Sequence, residues 1–240
     1  MRKSVIALML SVLVLPAGLL PAEAQEKGLI FYGIQFEEME YRFGDENERL
    51  FGFDGDAFIG TDELKLRWLG KGEYSFRDNG FEKLENRVVL QKPVSDFFDV
   101  KAGFRLDTPE GRDRWYGVLG LAGLAPQWFE TDLDLFVSEK GRLSTRLDLE
   151  YELLLTNRLI LTPSINIDAA FSDDRDIGIG KGVTAIEAGL RLGYDLVDRA
   201  ISPYVGVVYE GAAGKTADLR REAGSDVDGW RTVIGTRLMF

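Results

Sequence analysis

From Arg142 to Leu155 the chain alternates with almost no interruption. Leu143, Thr145, Leu147, Leu149, Tyr151 and Leu153 fall on one face, and Ser144, Arg146, Asp148, Glu150 and Glu152 fall on the other. A period of two is the mark of a β-strand whose two faces meet different surroundings. Segments of this kind recur along the chain. About twelve of them have the roughly ten-residue length of a bilayer-spanning strand. They cover 29–42, 48–60, 63–74, 82–93, 97–107, 113–124, 128–138, 142–155, 159–170, 183–196, 201–210 and 230–240. A soluble sandwich would bury the apolar faces in a core. A membrane barrel would turn them to lipid and point the charges inward.

The two ends of the chain help choose between these. Arg2 and Lys3 precede an apolar stretch from Val5 to Leu15, and Ala22-Glu23-Ala24 has the small-x-small form of a cleavage site. Residues 1–24 are therefore expected to be a secretory signal peptide and 25–240 a single barrel domain. At the other end Trp230, Thr232, Ile234, Thr236, Leu238 and Phe240 share one face, opposite Arg231, Val233, Gly235, Arg237 and Met239. A last strand that ends on an aromatic residue of its apolar face resembles the C-terminal insertion signature of bacterial outer-membrane barrels. That assigns the signature to Phe240.

Composition narrows the chemistry. The formal net charge is −11, so nucleic acid is a poor partner for want of surplus Lys and Arg. After residue 24 no apolar run approaches the ~18 residues of a spanning helix, which leaves a closed barrel as the way to cross a membrane. There is no cysteine and no histidine. Thiolate and imidazole metal ligands, Ser-His-Asp chemistry and cysteine nucleophiles are all excluded within this chain, and an enzyme is not expected.

Connection lengths fit the same picture. Gly60-Thr61-Asp62, Lys92 to Ser95, Pro126-Gln127, Thr156-Asn157-Arg158 and Val197-Asp198-Arg199 read as short periplasmic turns. Ser75 to Phe81, Asp107 to Arg112, Ser172 to Gly182 and Gly211 to Gly229 read as longer outer loops, with Glu139-Lys140-Gly141 a short exception. Tyr32, Phe36, Phe97, Trp115, Trp128, Tyr151, Tyr204 and Trp230 lie near strand ends, as aromatic girdles do. The fold class expected is all-β: a transmembrane antiparallel up-and-down β-barrel of about twelve strands, both termini periplasmic, in the outer membrane with lipid around it.

The hairpin 128–155 gives a lumen register. With Lys140 at the tip, Val137 faces Leu143, Asp134 faces Arg146, Asp132 faces Asp148 and Glu130 faces Glu150, all on one side of the sheet. Ser164, Asn166 and Asp168 extend this acidic wall. It is either a cation-attracting surface or one half of an internal charge network completed by Lys65, Arg67, Arg87, Lys101, Arg105 and Arg191. The acidic stretch Asp173-Asp174-Arg175-Asp176 lacks the ligand spacing of an EF-hand and reads as an exposed loop.

A long ordered set of motifs carries a family resemblance. It runs through Gly123-Leu124-Ala125-Pro126-Gln127-Trp128-Phe129-Glu130, Gly141-Arg142, Arg146-Leu147 and Glu150-Tyr151, then Leu153-Leu154-Leu155-Thr156-Asn157-Arg158-Leu159-Ile160-Leu161. It continues with Gly178-Ile179-Gly180, Glu187 to Leu192, Pro203 to Val207, Thr216-Ala217-Asp218-Leu219 and Gly235 to Phe240. The opening Gln35-Phe36-Glu37-Glu38-Met39-Glu40 belongs to the same set. Together they resemble the copper resistance protein B family of outer-membrane barrels. The resemblance implies a role in copper tolerance, a barrel that passes copper or other metal ions through its acidic lumen or holds a copper ion weakly or transiently, and a periplasmic multicopper oxidase as a partner. Family members often carry a Met- and His-rich segment ahead of the barrel, and this chain shows none. After residue 24 its methionines are Met39 and Met239, which alternation puts on the lumen side of the two strands that close the barrel. The metal-contact candidates are accordingly Met39, Met239, Glu37, Glu130, Asp132, Asp134, Asp148 and Glu150, beside a lumen charge network of Arg105, Arg146, Arg191 and Asp168.

Overall fold

Alternation of apolar and charged residues closes this chain into one antiparallel barrel. The computed structural model describes residues 29–44, 48–108 and 113–240; the expected signal peptide lies outside them. The strands are β1 (Phe31–Phe43), β2 (Arg49–Gly60), β3 (Lys65–Ser75), β4 (Gly80–Pro93), β5 (Phe98–Asp107) and β6 (Arg114–Ala125). They continue with β7 (Phe129–Ser138), β8 (Leu143–Glu150, resumed at Leu153–Leu154), β9 (Leu159–Ala170), β10 (Gly182–Tyr194), β11 (Ile201–Ala212) and β12 (Asp228–Met239). Each pairs with its chain neighbours, and β1 pairs with β12, so the sheet has no free edge. Closure satisfies every strand's backbone groups where no water is available. The short helix α1 (Gly214–Glu222) sits in the β11–β12 connection.

The outer face carries Leu66, Val88, Leu90, Phe104, Leu119, Val205 and Ile234, all exposed. Their alternation partners point inward and are buried. The interior therefore holds what an ordinary core does not: Glu40, Arg42, Arg87, Lys101, Asp134 and Arg191 beside two apolar clusters. One cluster is Val89, Val118 and Phe136; the other is Tyr204, Val208 and Val233.

Local chemistry explains three departures from plain alternation. In β1 the register against β2 slips between Phe36 and Glu38, so Glu37 is an extra residue on one strand. Such a bulge flips the parity of everything after it. Met39 consequently shares the outer face with the exposed Tyr41 and Phe43, while Glu38, Glu40 and Arg42 turn inward. The expectation that Met39 faces the lumen is thus corrected. In β8, pairing with β9 breaks at Tyr151 and Glu152, opposite Pro163, which has no N–H to give to the ladder. Finally, Tyr204 does not join an aromatic girdle. It points inward, and its hydroxyl donates to Glu40 at 2.8 Å.

Candidate functional site: the charged lumen

Charged side chains crowd the middle of the barrel. Arg42 is the hub. Its guanidinium reaches Glu40 at 2.8 Å, Glu73 at 2.9 Å, Glu210 at 2.6 Å, Glu38 at 3.1 Å and Glu187 at 3.6 Å. These carboxylates come from β1, β3, β10 and β11. With 1% of its surface exposed, Arg42 is almost completely buried. Burying such a charge is tolerated only where partners surround it, and a rigid guanidinium fork with five N–H donors suits the task.

Other pairs run as chords across the barrel. Arg146 on β8 reaches Glu85 on β4 at 3.0 Å and Asp168 on β9 at 2.9 Å. Arg237 on β12 reaches Glu150 and Glu152 on the β8 side at 2.7 and 2.8 Å. Arg191 on β10 binds Glu40 and Glu38 on β1 at 2.9 and 2.8 Å. Arg105 bridges Glu85 and Asp107 and lies 4.6 Å above the Phe136 ring. On the opposite wall Asp134 takes Arg87 at 2.5 Å and Lys101 at 3.1 Å, and Lys101 also holds Asp132 at 2.5 Å.

The hairpin register is the one read from the sequence: Glu130 faces Glu150, Asp132 faces Asp148, and Asp134 faces Arg146. The acidic wall these residues form is largely neutralised by the cations just named. Of the candidate metal contacts, the carboxylates of Glu37, Glu130 and Asp148 form no ion pair among the described residues. Glu130 is exposed at the periplasmic end. Glu37 accepts only the Gln35 amide, at 2.9 Å, and Asp148 accepts the Asn166 amide. Met239 faces the lumen beside this group, directly opposite Gln35 across the closing seam. It is not a neighbour of Met39. The seam register places Met39 beside Glu40 and Gly235, several residues up the strand, and the bulge turns it outward. A two-thioether copper contact is therefore excluded. Phe240 closes the seam, exchanging backbone hydrogen bonds with Ile34 at 2.9 and 3.1 Å, with its ring exposed.

Above the Arg42 level lies an extracellular vestibule of about 790 Å³. Its floor includes Lys71, Glu73, Glu85, Arg146 and Glu187, and Thr216 of α1 and Asp174 line it from above. Carboxylate oxygens of Glu73, Glu187 and Glu210 lie within 4.8 Å of one another there. All three already engage Arg42, and Lys83 reaches Glu73 at 2.8 Å and Glu210 at 3.6 Å. The cluster thus holds its own tethered cations. Uninterrupted alternation through β1 hides this hub, because the bulge at Glu37 reverses the parity after it. The signal that could have exposed it is the Glu38-x-Glu40-x-Arg42 alternation taken by itself.

The rim loop 171–181 carries three carboxylates outside the membrane. The Lys215 ammonium and the Lys181 backbone N–H hold Asp173 below the ordinary carboxylate range. For Asp174 partial burial acts upward, but hydrogen bonds from Arg142 and Arg114 outweigh it and the net direction is down. Lys140 lowers Asp176. A depressed carboxylate stabilises the fold at neutral pH. That contribution is whole above the unfolded value near 4 and is lost as pH falls through the folded value.

A closed antiparallel barrel with an apolar exterior and a polar interior is an outer-membrane β-barrel, here one whose lumen is crossed by ion pairs. The NanC porin structure shares the fold, with a TM-score of 0.54 at 13% identity, over 87% of this chain and 99% of that one. The chain belongs to the copper resistance protein B family: the family model described as "Copper resistance protein B precursor (CopB)" matches residues 30–240. Copper resistance protein B of Escherichia coli is 34% identical over 93% of this chain and 74% of its own length. The copper resistance protein B homolog of Pseudomonas syringae pv. tomato is 35% identical over 85% of this chain and 68% of its own length.

Proposed function

We propose that this barrel serves copper tolerance by holding copper ions loosely at lumen carboxylates between its middle and its periplasmic end, with no enzymatic step. The observation that carries the reading is the uneven distribution of charge. Most carboxylates in the middle of the barrel are paired, while Glu37 and Asp148 there, and Glu130 nearer the periplasmic end, are left without a cation. Unpaired carboxylates raise the local concentration of cations.

The donor set limits what is bound. Oxygen donors accept Cu(II) and other divalent ions with little selectivity, and Cu(I) prefers soft sulfur ligands. Met239 is the one thioether facing this region among the described residues. The cargo that fits is therefore a weakly held divalent ion. A periplasmic multicopper oxidase is the partner expected on that side, since it would supply copper in divalent form.

Equilibrium dialysis of the reconstituted barrel against Cu(II) tests this. The expected result is measurable binding that drops severalfold in the E37Q/E130Q/D148N variant, with barrel folding unchanged. Binding by the parent no better than by an unrelated acidic protein would remove the copper reading. That outcome would leave a second reading, a structural or general cation-preferring barrel, which the dense cross-lumen pairing favours.

A further inference from the structure

The loop 171–181 carries three aspartates, and each grips a cation from another part of the rim. Asp173 pairs with Lys215 of α1. Asp174 pairs with Arg114 at the head of β6, at 3.0 Å, and with Arg142 in the β7–β8 turn. Asp176 pairs with Lys140 of the same turn at 2.7 Å. The loop is also tied to α1 through the Gly180 N–H, which donates to Thr216 Oγ1 at 3.0 Å, with Thr216 and Ala217 buried beneath it. It thus runs from the helix, which packs on β10 and β11, to the β6–β8 side of the rim. Ile177, Ile179 and Thr216 face the vestibule from this cover.

We propose that the loop 171–181 and α1 form a charge-latched cover over the extracellular vestibule, released when external ions compete for its three aspartates. Physical reasons favour a latch over a fixed cap. Two of the gripping cations, Lys140 and Lys215, are 40% and 45% exposed, so their pairs are open to solvent. Exposed pairs are individually weak, and salt screens them. Asp174 is the one enclosed link, with a side-chain exposure of 9%. Two exposed links and one enclosed one, acting in parallel, hold firmly in dilute solution and loosen together as ionic strength rises. A cover held by apolar packing would respond in the opposite sense or not at all. This gate concerns access to the vestibule and stands whether or not copper is the cargo.

The absence of cysteine makes the test direct. Ser144 lines the vestibule wall. The S144C protein, reconstituted in neutral lipid, is labelled with a bulky hydrophilic maleimide at low salt and at 1 M NaCl. The expected result is a severalfold faster reaction at high salt. Adding D173N/D174N/D176N should raise the low-salt rate to the same level and abolish the salt dependence. S225C, on an exposed stretch, reports any direct effect of salt on the reagent. Should the triple variant fail to fold, K140Q/K215Q leaves the enclosed Asp174 link intact and should give a smaller change of the same sign. An S144C rate that does not respond to salt overturns the latch. So does a rate unchanged by removing the paired charges in a folded variant.

Discussion

The Arg42→Ala barrel is expected to unfold in urea with about 3–5 kcal/mol less stability than the parent, the usual cost of stripping one partner from a buried ion-pair cluster. Five carboxylates meet on this guanidinium. Without it Glu40, which is fully buried, keeps Arg191 and the Tyr204 hydroxyl, whereas Glu187 and Glu210 lose a shared counter-charge in a confined space. Protonation or water entry must then make up the loss. Arg42→Lys keeps the charge but not the planar fork that serves several acceptors at once, so it should fall between. Tryptophan fluorescence during urea titration in lipid vesicles reads the difference. An Arg42→Ala barrel as stable as the parent would mean that the hub contributes nothing to holding the fold.

The second large effect concerns the opposite wall. Lys101 is 1% exposed and shared between Asp132 and Asp134. Lys101→Met should cost about 3 kcal/mol, because it leaves buried carboxylate oxygens short of partners. Lys101→Met combined with Asp134→Leu should recover most of that loss, since replacing a buried pair by apolar groups of similar volume is often neutral or better. The neighbours favour recovery: Val89, Val118 and Phe136 already pack inside this half of the lumen, and Arg87 retains Glu85 at 2.9 Å. A double-mutant cycle read by urea unfolding measures the coupling. Additive losses would show that the two groups act independently, despite their 3.1 Å separation.

Much of this fold was legible because a period of two leaves little freedom. Once Lys140 is set at a hairpin tip, Glu130 must face Glu150 and Asp134 must face Arg146, as they do. The β12 faces follow in the same way, with Arg231 and Arg237 inward and Trp230 and Ile234 outward. One extra residue defeats such logic, and Glu37 supplies it: everything from Glu38 to Phe43 changes side, which removes Met39 from the lumen and places Arg42 there. The break in β8 likewise depends on Pro163 in the neighbouring strand, not on any residue of β8 itself. Cross-lumen partners were the least accessible feature. Arg42 meets Glu210 across 168 positions of chain, and only barrel closure brings them together. Helix α1 was read as loop because Gly214 to Glu222 is a mostly polar stretch without an apolar helical stripe.

The proposed copper role and the ion pairs that cross the lumen lead to one expectation: cations gather at the unpaired lumen carboxylates without crossing the barrel freely. Single-channel recording of the purified barrel in a neutral planar bilayer tests that most directly. The parent is expected to show no sustained open-channel current, with or without Cu(II), while the Arg42→Ala barrel shows discrete openings. A steady ohmic conductance in the parent would contradict a lumen closed by its own ion pairs.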